Sequence, residues 1–138
     1  MEPEKIQAVQ QSLGRCLLNK ARGKDFLDAF YDEFLAADPR IKPMFAKTDM
    51  AKQKSLLRQG LTMLVMYSGG VGLAQNTVRQ LAVKHDHEHL NIPPSMYPLW
   101  VDSLLRCVKL HDPKYTDELG GWWREAVQIG IEVMKKAY

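Results

Sequence analysis

A histidine, a tyrosine and a glutamine on separate segments are the residues of this chain best suited to chemistry. They are His85, Tyr31 and Gln53, and Phe45 lies between the tyrosine and the glutamine. An imidazole can bind the iron of a haem from one side, while polar side chains on other segments face a gas ligand on the opposite side. The ordered set predicts a haem pocket in which His85 is the proximal iron ligand and Tyr31 and Gln53 stabilise the gas.

His85 follows Leu81 by one helical turn, so a neutral imidazole could give Nε2 to iron while Nδ1–H donates to the Leu81 carbonyl. A lone histidine would more often be a surface residue, and the assignment depends on the whole set. His85, His87 and His89 also suggest a zinc site, because positions 85 and 89 lie one turn apart. No cysteine or further histidine cluster completes the three or four ligands that zinc requires.

Gln53 is the preferred distal polar residue because Leu57 and Leu61 follow it at four and eight positions, as an apolar pocket wall requires. The competing polar residues on the same segment are Lys52, Ser55 and Gln59. The apolar pocket candidates are Phe45, Leu57, Leu81, Leu90, Ile92, Tyr97, Trp100 and Leu104. Ordinary core packing explains each of these apolar residues equally well.

Residues 46–84 contain no histidine, which excludes a second imidazole from the distal side. The sixth iron position is therefore expected to be open to a gas, or filled by water, Tyr31 or Lys52. Donation from both Tyr31 and Gln53 would hold dioxygen tightly, because the bound gas carries partial negative charge.

Apolar residues recur at three- and four-residue intervals along most of the chain, which predicts helices and no convincing strand. Gly23, Asp38-Pro39, Gly69-Gly70 and His111-Asp112-Pro113 separate the segments. The predicted helices cover about 3–20, 24–37, 50–68, 75–85, 93–111 and 116 to the end, with a short tight turn or 3₁₀ segment at 41–45. We therefore expect one all-α domain over residues 1–138, with six or seven helices packed around the haem pocket.

The ordered set resembles the globins, and most closely the bacterial single-domain globins and the haem domain of flavohaemoglobins. The residues that carry the resemblance are Phe30-Tyr31, Pro39, Phe45, Gln53, Leu57 and His85. The resemblance implies a globin fold, haem b (iron protoporphyrin IX), and binding of dioxygen, carbon monoxide and nitric oxide. Two departures from flavohaemoglobins weaken any transfer of their catalysis. The loop between His85 and Tyr97 is longer, and Tyr138 lies about where flavohaemoglobins place a glutamate that supports the proximal histidine, so we expect neither that glutamate nor a reductase domain.

Composition limits the classes of protein. The 138 residues are 46% hydrophobic and 25% charged with a net charge of +3, which is ordinary globular usage without a basic stripe for nucleic acid. The longest apolar run, 61–67, is too short to span a bilayer, and no export segment is apparent. Cys16 and Cys107 lie in apolar helical stripes and are expected to be buried thiols. We expect a cytoplasmic protein with no membrane partner.

Two functions are compatible with these features. The first is reversible dioxygen binding for storage, delivery or sensing. The second is an enzymatic conversion of nitric oxide to nitrate, with electrons from a separate reductase. A helical regulator without haem is disfavoured, because His85 and Phe45 are both present.

Overall fold

The computed structural model describes residues 1–68 and 93–137, and this part of the chain is built from six α-helices. They are α1 (Pro3–Leu18), α2 (Phe26–Ala37), α3 (Ile41–Met44), α4 (Met50–Ser68), α5 (Tyr97–His111) and α6 (Asp117–Ala137). A 3₁₀ turn, Pro94–Met96, precedes α5. The all-α prediction is confirmed, while the helix predicted at 75–85 lies outside the described residues.

The connection between α1 and α2 differs from the prediction, because it contains a very short antiparallel hairpin. Its strands are β1 (Lys20–Ala21) and β2 (Lys24–Asp25), with Ala21 opposite Lys24. Arg22 and Gly23 form the turn with φ of 53° and 78°, the left-handed values that a two-residue hairpin turn requires. Strands of two residues are too short for an alternating pattern to be visible in the sequence.

The corner between α2 and α4 is fixed by two aspartates. The Asp38 side chain accepts a hydrogen bond from the Arg40 backbone N–H at 2.8 Å, which turns the chain into α3. The segment predicted as a tight turn or 3₁₀ piece is a four-residue α-helix instead. The Asp49 side chain then accepts from the backbone N–H groups of Ala51 and Lys52 at 3.1 and 3.3 Å. This is a standard helix N-cap, and it sets where α4 begins.

A buried polar cluster joins α1 to the far end of the chain. Trp123 Nε1 donates to Ser12 Oγ at 2.9 Å, and Ser12 Oγ donates to Asp112 at 2.5 Å. Arg15 Nε donates to the same carboxylate at 2.6 Å. Burial alone would raise the pKa of Asp112, but hydrogen bonds from Arg15, Ser12 and the Lys114 backbone N–H outweigh it and hold the pKa below its usual value. The cluster holds α1 against the junction of α5 and α6.

The two cysteines are buried free thiols, as predicted. Burial raises the pKa of both Cys16 and Cys107 to about 12, so both remain protonated at neutral pH. They serve as apolar core residues. No helix in the described ranges is both long and apolar enough to cross a membrane.

Candidate distal pocket

Tyr31 and Gln53, which the sequence places on separate helices, meet in the structure. Tyr31 lies in the middle of α2 and is only 4% exposed, while Gln53 lies on the first turn of α4 and is half-buried. Gln53 Nε2 donates to Tyr31 Oη across 3.1 Å. The Asp49 cap fixes the start of α4, so Gln53 lies on its first turn.

The Tyr31 hydroxyl is a hydrogen-bond donor at neutral pH. Burial raises the pKa of Tyr31 above its ordinary value, and the hydrogen bond from Gln53 opposes this only in part. A phenol has one proton to donate and lone pairs to accept with. Because Oη accepts from Gln53, the Tyr31 proton is available to another acceptor nearby.

The surroundings of this polar pair are aromatic. Phe45 meets the Tyr31 ring edge-on at 6.0 Å between ring centroids, and meets the Phe34 ring edge-on at 6.3 Å. Phe30 packs edge-on against Tyr31 at 5.1 Å and against Trp100 of α5 at 5.7 Å. These distances are in the range of favourable edge-to-face contacts, which restrict ring orientation. The phenol is therefore held by Phe30 of α2 and by Phe45 just after α3, and Phe30 is in turn packed against α5.

The remaining described pocket candidates lie in or beside the same core. Leu57 is buried one turn after Gln53, and Leu104 is fully buried on α5. Tyr97 is buried at the start of α5, where burial raises the pKa of its hydroxyl to about 12. Trp100 is half-buried and reaches the pair through Phe30. The contacts of these four residues are equally compatible with a role in the pocket and with ordinary core packing.

The other predicted site residues, Leu81, His85, Leu90 and Ile92, lie outside the described residues, so His85 as iron ligand stays a prediction. Within residues 1–68 and 93–137, no cluster of three or more His, Cys, Asp or Glu side chains could hold a metal ion. The competing residues Lys52, Ser55 and Gln59 are all exposed. Among these polar side chains of α4, Gln53 is the one that reaches Tyr31.

The described residues include two features that the sequence does not predict. The first is the buried environment of His111, which in the sequence marks only the end of a helix. This residue is 2% exposed, with its ring nitrogens 2.9 Å from the Cys107 carbonyl oxygen and 3.1 Å from the Lys24 carbonyl oxygen. The second is an ion pair between Asp28 of α2 and Lys54 of α4, at 2.5 Å. Lys54 follows Gln53 directly and Asp28 lies one turn before Tyr31, but no local pattern pairs them, because the contact depends on how α2 crosses α4.

Comparisons with known proteins agree with this architecture. The globin family model matches residues 28–134. A protein from Pseudomonas aeruginosa, whose crystal structure is described as structurally highly homologous to a human haemoglobin, is 41% identical in sequence with a TM-score of 0.89. That alignment covers 97% of this chain and 98% of the other. No curated protein matches the chain in sequence. Since the family match spans well over half of its length, this chain belongs to the globin family and has the globin fold.

Proposed function

We propose that the chain binds haem b and reversibly binds dioxygen, with His85 as the proximal iron ligand. The observation that carries the proposal is the Tyr31–Gln53 hydrogen bond, made between two helices in an aromatic environment. A buried hydroxyl such as that of Tyr31 costs free energy unless its hydrogen-bonding capacity is satisfied. A gas ligand that accepts the remaining Tyr31 proton would satisfy it.

The residues present fit a haem. When bound, haem would supply an iron atom that can bind a diatomic gas. Phe45 would lie against the ring, because it is half-buried and already contacts Tyr31. The further apolar candidates for holding the group are Leu57, Leu81, Leu90, Ile92, Tyr97, Trp100 and Leu104.

The distal pair, Tyr31 and Gln53, would discriminate between gases. Dioxygen gains negative charge when it binds and is then a better acceptor than carbon monoxide. A hydrogen bond to a charged partner contributes about 1.5–3 kcal/mol. The Tyr31 hydroxyl would therefore slow dioxygen release much more than carbon monoxide release.

A second candidate function depends on the same pair. Dioxygen that Tyr31 and Gln53 hold tightly remains available to react with nitric oxide, giving nitrate. Sustained turnover would need electrons from a separate reductase. The hydrogen bond between these two residues supports both candidates, and kinetics must separate them.

Absorption spectra test the proposal. The reduced holoprotein is recorded under nitrogen, then air, then carbon monoxide, and is returned to nitrogen. We expect distinct, reversible spectra for each gas, and turnover with nitric oxide and a reductant then tests the second candidate. Protein that takes up no haem, or haem-loaded protein with one spectrum under all three gases, would refute the proposal.

A further inference from the structure

A solvent-open cleft of about 540 Å³ lies beside the distal pair, between the hairpin, α2 and the start of α4. Its lining residues are Lys20, Gly23, Lys24, Asp25, Asp28, Tyr31, Asp32, Leu35, Met50 and Lys54. Tyr31 thus belongs both to the wall of this cleft and to the contact with Gln53.

The cleft follows one face of each helix. On α2, the lining positions 28, 31, 32 and 35 have the spacing of a single helical face, and positions 50 and 54 do the same on α4. Tyr31 is only 4% exposed and is the most buried of the lining residues, so it marks the deepest part of the cleft. Leu35 and Met50 are half-buried and supply apolar surface to the cleft. A small apolar molecule in the cleft would contact Tyr31, the residue whose hydroxyl meets Gln53.

An ion pair spans the cleft. Lys54 Nζ lies 2.5 Å from Asp28 Oδ1, with the lysine side chain 32% exposed and the aspartate 45% exposed. Ion pairs with this much solvent contact contribute little free energy and are screened by salt. The Asp28–Lys54 pair can therefore open and close at little cost. Lys24 and Asp32 form a second pair, between the hairpin and α2.

We propose that this cleft is an access route for small diatomic gases, with the Asp28–Lys54 pair as its gate. The inference rests on the proposed gas-binding function and adds to it the path by which the gas reaches Tyr31. A gate changes the energy barrier for gas entry and exit, and leaves the free energies of the gas in solvent and of the bound gas unchanged. Opening it must therefore speed association and release by the same factor and leave the affinity unaltered, for dioxygen and carbon monoxide alike.

Two kinds of substitution test the route in the reduced holoprotein, by flash photolysis for association and stopped-flow mixing for release. Lys54→Met removes the charge and keeps a side chain of similar length. It is expected to speed association and release about two- to fivefold, because so exposed an ion pair contributes little free energy. High salt should produce the same change in the wild type. Leu35→Trp and Met50→Trp narrow the cleft from different helices and should slow association and release by the same factor. If one variant does not fold, the other still tests the route.

Arg106→Met is the matched control, because it removes an ion pair of similar exposure. Arg106 joins Glu33 of α2 to α5, away from the cleft, and the two side chains are 53% and 43% exposed. This variant should keep wild-type rates. Unchanged rates in Lys54→Met and in both tryptophan variants would overturn the route. A Lys54→Met effect on dioxygen release alone would also overturn it, because the pair would then position Tyr31 instead of gating access.

Xenon gives a readout that does not depend on gas kinetics. Methyl NMR signals of Leu35 and Met50 in the holoprotein should shift under xenon pressure, and should shift less in Leu35→Trp or Met50→Trp at the methyl that remains. Holoprotein that binds no gas but shows these shifts would refute the proposed function and leave the cleft as a passage that admits xenon. Gas binding without any xenon shift would refute the route alone.

Discussion

Replacing Tyr31 by phenylalanine removes one oxygen atom from the distal pair and leaves its aromatic packing in place. The ring keeps its edge contacts with Phe30 and Phe45, at 5.1 and 6.0 Å, so the fold should be undisturbed. The hydrogen bond from Gln53 Nε2 to Tyr31 Oη disappears, and so does the proposed donation of the Tyr31 proton to dioxygen. Loss of a hydrogen bond to a charged acceptor costs about 1.5–3 kcal/mol, equivalent to about ten- to hundredfold in dissociation.

Stopped-flow release rates measure this loss. Tyr31→Phe should accelerate dioxygen release by about ten- to hundredfold and alter carbon monoxide release much less. Gln53→Leu should act in the same direction more weakly, because the glutamine side chain is half-buried and less fixed. Tyr115→Phe is the control, since it removes a phenol oxygen that lies near Gly120 of α6. Dioxygen release in Tyr31→Phe within about twofold of the wild type would refute hydrogen bonding by this hydroxyl.

Three further predictions concern stability. Phe45→Ala should lower the free energy of unfolding by about 3 kcal/mol, the lower end for such a truncation, because Phe45 is half-buried. It should also speed haem loss. Denaturant unfolding measures the first effect and haem transfer the second. The pKa of Asp112 is lower in the folded state than its value of 3.8 in the unfolded state, so its carboxylate adds to the free energy of unfolding above pH 3.8. This contribution is lost as the pH falls through the folded-state pKa. The stability difference between wild type and Asp112→Asn should therefore shrink in acid. Gly120→Ala should cost about 1–3 kcal/mol, because a Cβ there would meet Tyr115 Cζ at 2.9 Å. Gly121→Ala, with open space around it, should be neutral or stabilising by thermal denaturation.

The helices could be predicted because their evidence is local. Phe26, Phe30 and Phe34 recur at helical spacing, and all three are buried on α2. Gln53 was selected from its neighbours by the leucines that follow it, and it is the residue that reaches Tyr31. Helix ends were less accurate: α1 ends at Leu18 and α2 begins at Phe26, because the hairpin occupies the residues between.

Features that depend on distant partners could not be predicted. The two nitrogens of His111 face carbonyl oxygens of Cys107 and Lys24, and the second of these is 87 positions away. No local pattern indicates such a partner, so the residue was interpreted only as the end of a helix. The Asp28–Lys54 pair was missed for the same reason, because its geometry follows from how α2 crosses α4.

Haem retention by histidine variants tests the central claim most directly. Wild type, His85→Ala, His87→Ala and His89→Ala are purified in parallel, and their haem content and ferrous spectra are compared. His85→Ala should lose most of its haem, or show a changed ferrous spectrum that added imidazole restores, while the other two retain haem with the wild-type spectrum. Unchanged haem content and spectrum in His85→Ala would contradict the account, since the iron would then have another ligand.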